Sequence, residues 1–329
     1  MKQEAFETLY SATWDRFETW VRVLSGDRNA KLDPDGERLI GRQFPGMYRQ
    51  ICHHLSLARS RRYSLGLQQR LNQLALDGHQ HLYRSRTPLH HALARFLVLE
   101  FPATFRRCWR FMLVAALLFY VPALAISAAM HYRPELIFSL MDPSDVSRFE
   151  EMFDPSNSVL GRERASDTDV LMFGYYIYNN ISLGFQTFAG GLLFGLGSIF
   201  YLLYNGLYFG AVATHLTSAG FSRTFWTFVA AHSSFELTAL VIFGGVGLML
   251  GYGAIAPGRK PRWHAIRDRA VSSMPLVYGG TLMLVTAAFL EAFWSSTTWP
   301  PDYVKYAVGT ALWLVLALYF LLLGRREPR

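Results

Sequence analysis

The chain has 329 residues, a formal net charge of +8, and 51% hydrophobic against 17% charged residues. Charge is segregated: residues 111–130, 170–222 and 237–257 contain no Lys, Arg, Asp or Glu, which argues against an ordinary two-domain soluble protein of this length. Two cysteines, Cys52 and Cys108, exclude a disulfide scaffold and are expected to be free. The positive surplus reads as topogenic, and no nucleic acid partner is expected.

Residues 1–107 are expected to form a basic, helical, cytosolic region. Phe6, Leu9, Tyr10, Trp14, Phe17, Val21 and Leu24 recur at helical spacing. Residues 1–26 are charged and amphipathic, so no cleavable signal peptide is expected. Pro45-Gly46 should break the chain, with a helix over 47–61 after it. Leu67, Leu71, Leu74, Gly78 and Leu82 mark a further stripe, and Pro88 separates it from Leu89, Leu93, Phe96 and Leu97.

Residues 108–329 are expected to be a transmembrane helical domain. A bilayer core about 30 Å thick needs about 20 apolar residues at 1.5 Å per residue, and its lack of water forces backbone pairing within each helix. The fold class is therefore all-α and polytopic, with about six spans near 111–130, 170–187, 191–216, 225–251, 274–294 and 304–323. Arg106, Arg107 and Arg110 precede the first span, and the loop 131–169 after it is acidic. The loop 252–273 carries Arg259, Lys260, Arg262, Arg267 and Arg269, and the tail carries Arg325, Arg326 and Arg329. Positive loops stay inside, so both termini and 252–273 are expected to be cytosolic and 131–169 outside. A re-entrant hairpin over 170–216 satisfies the same parity as two full spans.

Glu236 lies half-way along a span, where an ionisable side chain costs several kcal/mol unless it is neutralised, paired or hydrated. His232, four residues earlier, shares its helix face. The pair reads equally as a proton- or ion-binding site and as an interhelical clamp. Glu291, near the outer end of the fifth span, reads first as an interfacial carboxylate that snorkels. Asn179, Asn180, Gln186 and Asn205 either join helices or line a hydrated path. Gly191/Gly195, Gly206/Gly210 and Gly247/Gly251 fit GxxxG, which permits close helix packing within a subunit or in a homo-oligomer.

No catalytic residue, cofactor or metal is expected. The region 1–107 contains Cys52, His53, His54, His79, His81, His90 and His91, but no CxxC or HExxH. His232-Ser-Ser-Phe-Glu236 lacks the second histidine of a zincin. There is no GxSxG, P-loop or dinucleotide fingerprint, and Ser233-Ser234 beside His232 would need a base from another helix.

Five stretches, taken in order, carry a family resemblance. They are Met47-Tyr48-Arg49 through Leu57-Ala58-Arg59 with Leu71-Asn72 and His81-Leu82-Tyr83-Arg84; Phe101-Pro102 through Arg106-Arg107; Tyr178-Asn179-Asn180-Ile181 with Gly191 and Gly195; Asn205-Gly206 through Gly210 with His232 and Glu236-Leu237; and Phe289-Leu290-Glu291-Ala292-Phe293. The set resembles the stage II sporulation protein M family of bacterial membrane proteins over nearly the whole chain. Family members usually carry Gly directly after the histidine, where this chain has Ser233. The resemblance implies an integral inner-membrane protein, with no catalytic activity established for the family in general. It also implies envelope partners: cell-wall hydrolases for the founding members, and a MoxR-type AAA ATPase with a von Willebrand factor A-like protein by gene neighbourhood for others. The expected function is a non-enzymatic envelope component that recruits partners. The alternative is a transporter or channel-like protein moving protons, ions or an amphiphile past Glu236.

Overall fold

The computed structural model describes residues 1–25, 27, 34–83, 89–162 and 168–325. Arg84, Pro88, Glu163, Arg164, Asp167, Arg326 and Arg329, all used in reading the sequence, lie outside the described residues. Among the described residues the secondary structure is helical, with no strand. The chain divides into two compact units, Met1–Leu89 and His90–Arg329.

The first unit contains α1 (Gln3–Leu24), α2 (Pro34–Ser60) and α3 (Leu65–Tyr83). Phe6, Trp14, Phe17 and Val21 of the expected stripe are buried against Ile51, Leu67, Leu71 and Leu74, while Leu9 is exposed. The break expected at Pro45-Gly46 does not occur: Pro45 lies inside α2. Proline removes one backbone bond and crowds the preceding turn, but Ile40 and Phe44 before it and Met47 and Ile51 after it enter the same core. Phe44 stacks on Phe17 at 4.9 Å, so packing on both sides outweighs the local penalty. The histidines of this unit go to separate partners. His54 is buried and accepts a hydrogen bond at Nδ1 from Trp14 Nε1 at 3.0 Å. Burial pushes its pKa below the ordinary 6.5, and neighbouring His53 adds to the effect. His79 meets Tyr48 Oη, and His81 meets Ser25 Oγ.

The second unit contains α4 (Leu89–Arg95) from its second residue on, α5 (Phe101–Arg107), α6 (Trp109–Tyr132), α7 (Pro143–Met152), α8 (Asp169–Ala189), α9 (Leu196–Leu216), α10 (Ser222–Ile255), α11 (Arg262–Leu290) and α12 (Asp302–Leu322). Residues 90–107, assigned by sequence to the N-terminal region, pack here. Phe101 lies against Gly279 and Phe320, and Tyr319 donates to the Leu97 carbonyl.

Four stretches are long and apolar enough to cross a membrane: Trp109–Tyr132, Leu196–Ile255, Arg262–Ser295 and Asp302–Leu322. The second has 60 residues, about 90 Å of helix and far beyond one bilayer core. It is broken where Gly220 adopts φ +100°, a conformation that glycine reaches without the Cβ penalty. It then doubles back, with Gly195 against Gly251 and Leu202 against Gly244. α8, which carries Asn179, Asn180 and Gln186, is not among the four stretches.

The contacts of single residues give the helix directions. Gly206 and Gly210 of α9 approach Phe119 and Ala123 of α6, so these two helices are parallel. Gly184 and Thr187 of α8 meet Phe243 and Gly247 of α10, again in parallel. Gly309 of α12 meets Ala230 of α10, and Leu316 packs in one core with Ala239. Thus α6, α9 and α11 run one way, and α8, α10 and α12 the other.

All three GxxxG pairs make contacts within the chain. A Cβ on Gly191 would sit 2.1 Å from the Gly247 carbonyl oxygen, and one on Gly206 would sit 2.2 Å from that of Phe119. The expected outer loop is folded rather than loose. Ile137, Met141, Val146, Phe153 and Leu160 are buried against Phe225 and Phe228 at the start of α10.

Candidate functional site

The site lies where α10 crosses α11 and its continuation. α11 ends at Leu290 and runs on as a π-helical turn, Glu291–Ser295. The wider turn presents Glu291 and Ser295 toward α10, whose His232 and Glu236 are likewise four residues apart. The helices are antiparallel, so His232 meets Ser295 while Glu236 lies by Glu291. His232 Nδ1 is 2.9 Å from Ser295 Oγ, and the ring also has the Phe228 carbonyl, which can only accept, within reach. His232 Nε2 faces Glu236 Oε2, 3.9 Å away. One ligand-type atom from each of His232, Glu236 and Glu291 lies within 4.8 Å of the other two.

Several buried polar atoms around this cluster lack hydrogen-bond partners. Asn180 of α8 is 4% exposed and lies beside Glu291. Asn180 Nδ2, Glu291 Oε2 and Trp294 Nε1 are buried without a hydrogen-bond partner. Glu291 is half-buried, and its Oε2 is directed inward by the π-turn. Glu236 is ringed by protein yet keeps 28% of its side-chain surface. Residues 235–238 are half-buried around the whole turn, between fully buried turns at 231–234 and 239–247. A gap of at least water size therefore lies against the carboxylate.

The segment between α6 and α8 closes one end of the site. Leu160 N–H donates to the Ser296 carbonyl, and Tyr176 Oη donates to the Gly161 carbonyl at 2.9 Å. Gly161, at φ +73°, lies against the Phe228 ring, whose edge contacts His232. Arg162, its side chain 5% exposed, pairs with Asp169.

The other expected residues fall outside the cluster. Asn179 is exposed and donates to Asn180 Oδ1, and Asn205 donates to the Tyr201 carbonyl of its own helix. Three participants were not singled out by sequence reasoning: Ser295, Arg162 and Lys305. Lys305 Nζ, in the first turn of α12, is buried and donates to the carbonyls of Ser295 and Thr297. It thereby holds the end of the π-turn that carries Glu291. The available signal for Lys305 was a lone cation at the start of an apolar span.

A family model described as a domain of unknown function (DUF8413) matches residues 4–84, within the first unit. No curated protein and no solved structure matches the chain. The family model for stage II sporulation protein M matches residues 107–296. That match runs from the start of α6 to the end of the π-turn and spans all three residues of the cluster. The chain is a membrane protein, and it belongs to the stage II sporulation protein M family.

Proposed function

We propose that the protein is a multi-pass, non-enzymatic component of the bacterial cytoplasmic membrane that binds a small cation, a proton included, among His232, Glu236 and Glu291. The carrying observation is the convergence of three acceptor groups within 4.8 Å, with Glu291 Oε2 buried and without a hydrogen-bond partner. An interhelical clamp would satisfy its groups internally. A cluster of acceptors beside a water-sized gap calls for a cation from outside.

Six crossings fit this reading. The six long helices of the second unit alternate in direction, and α8 and α9, at 21 residues each, match a bilayer core in length better than a short re-entrant hairpin would. The basic loop between α10 and α11 then lies with both termini in the cytosol. Difference infrared spectroscopy in lipid, comparing unaltered protein with Glu236→Gln across a pH series, tests the site. A carboxyl band that responds to pH or to added cation supports cation binding; a band unchanged under both would sink it.

A second role, recruitment of envelope proteins such as a MoxR-type AAA ATPase system, is favoured by a separate observation. Met1–Leu89 has a hydrophobic core of its own and is a compact unit. Cross-linking in native membranes from a probe on the exposed face of α1, with identification of the captured chain, tests it. Capture of lipid alone would count against it.

A further inference from the structure

We propose that the cation is a divalent transition-metal ion of the zinc class, ligated by His232 Nε2 and one oxygen each from Glu236 and Glu291. This deepens the cation-binding reading and rests on it. An imidazole with two carboxylates is a common donor set for such ions. Tetrahedral zinc with bonds of about 2.1 Å holds its ligand atoms about 3.4 Å apart. The His232–Glu236 pair stands at 3.9 Å and the whole set within 4.8 Å, so modest side-chain rotations close the site.

Two further observations point to the same ligand. Ser295 Oγ holds His232 at Nδ1, 2.9 Å away, which leaves Nε2 facing the carboxylates as the nitrogen available to metal. Metal-bound histidines are oriented in this way by a partner on the other ring nitrogen. Asn180, more than nine-tenths buried with Nδ2 unpartnered, lies beside Glu291 and is poised to donate to the oxygen that does not bind metal. The gap against Glu236 supplies a fourth position for water.

The test uses the full chain, purified in detergent, stripped with a chelator and dialysed against Zn2+. One zinc per chain is expected, and X-ray absorption should count a single imidazole among nitrogen and oxygen neighbours. Glu291→Gln and His232→Gln should each weaken binding at least tenfold. Ser295→Ala, which removes a positioning residue and no ligand, should weaken it by about tenfold.

Zinc that binds equally to both ligand variants, or with two or more imidazoles, would belong to histidines outside the cluster and overturn the proposal. So would the absence of bound zinc. If a variant fails to fold, the imidazole count on the unaltered protein still decides. Failure here is distinguishable from failure of the wider reading: a Glu236 carboxyl that responds to pH in metal-free protein leaves a proton site standing without a metal.

Discussion

Replacing Glu291 with Gln removes one of two carboxylates whose oxygens lie within 4.8 Å, with no hydrogen-bond donor to Oε2. At an effective dielectric constant of about 20, two charges at that separation repel by roughly 3.5 kcal/mol. Gln keeps the shape and brings donors to a site rich in acceptors. In chelator-treated protein, Glu291→Gln should therefore be more stable than the unaltered chain by about 2–3 kcal/mol near neutral pH, or roughly 5–10 °C in Tm. The gain should shrink as pH falls, since a proton between the carboxylates cancels the same repulsion. Adding Zn2+ should reverse the order: a ligand at 100 times its Kd stabilises by about 2.7 kcal/mol, and only the unaltered chain has the full donor set. Thermal unfolding in detergent, with and without metal at several pH values, reads all three effects. A Glu291→Gln protein that is less stable at every pH without metal would mean that the carboxylate is a satisfied structural partner, and the repulsion argument would fail.

Lys305→Met leaves the Ser295 and Thr297 carbonyls without their donor; it should cost about 1–3 kcal/mol and also weaken cation binding, since Ser295 positions His232. Intact zinc affinity in a destabilised Lys305→Met protein would show that the π-turn keeps its shape without the lysine. A Cβ on Gly206 meets the Phe119 carbonyl at 2.2 Å, whereas one on Gly46 meets nothing within 4 Å. Gly206→Ala should thus destabilise by about 1–3 kcal/mol, while Gly46→Ala, in a helix, should gain up to about 1 kcal/mol; equal unfolding temperatures would contradict the packing. His54, its pKa held below 6.5 by burial, contributes stability that is full above 6.5. That stability is lost as pH falls through 6.5 toward the folded value, because the unfolded chain takes the proton first. Amide exchange over residues 51–58 should accelerate in that window, and His54→Gln should remove the pH dependence.

Much of the fold was legible because helix and membrane signals are local. A charge-free run of about 20 residues commits the chain to a helix whatever its neighbours are. The stripe Phe6, Trp14, Phe17 and Val21 buries as its spacing dictates. Pro45 shows where local reading fails: the proline penalty is real, but a core on both sides of it keeps α2 continuous. Glu236 and His232 were also legible, since a helix places residues four apart on one face.

By itself the sequence determined the helical class, the apolar stretches, the charge asymmetry along the chain, and a carboxylate–imidazole pair on α10. Tertiary structure alone decided what faces that pair. Ser295 reaches His232 across 63 residues of chain, and the π-turn makes Glu291 the third member of the cluster. Tertiary structure also brought Asn180 in, left Asn179 and Asn205 out, and turned the three glycine pairs toward partners within the chain. The physical reason is range. Periodicity and hydropathy act over one or two helical turns, whereas a site between helices depends on register, and that is set by the closest approach of backbones such as Gly191 to Gly247.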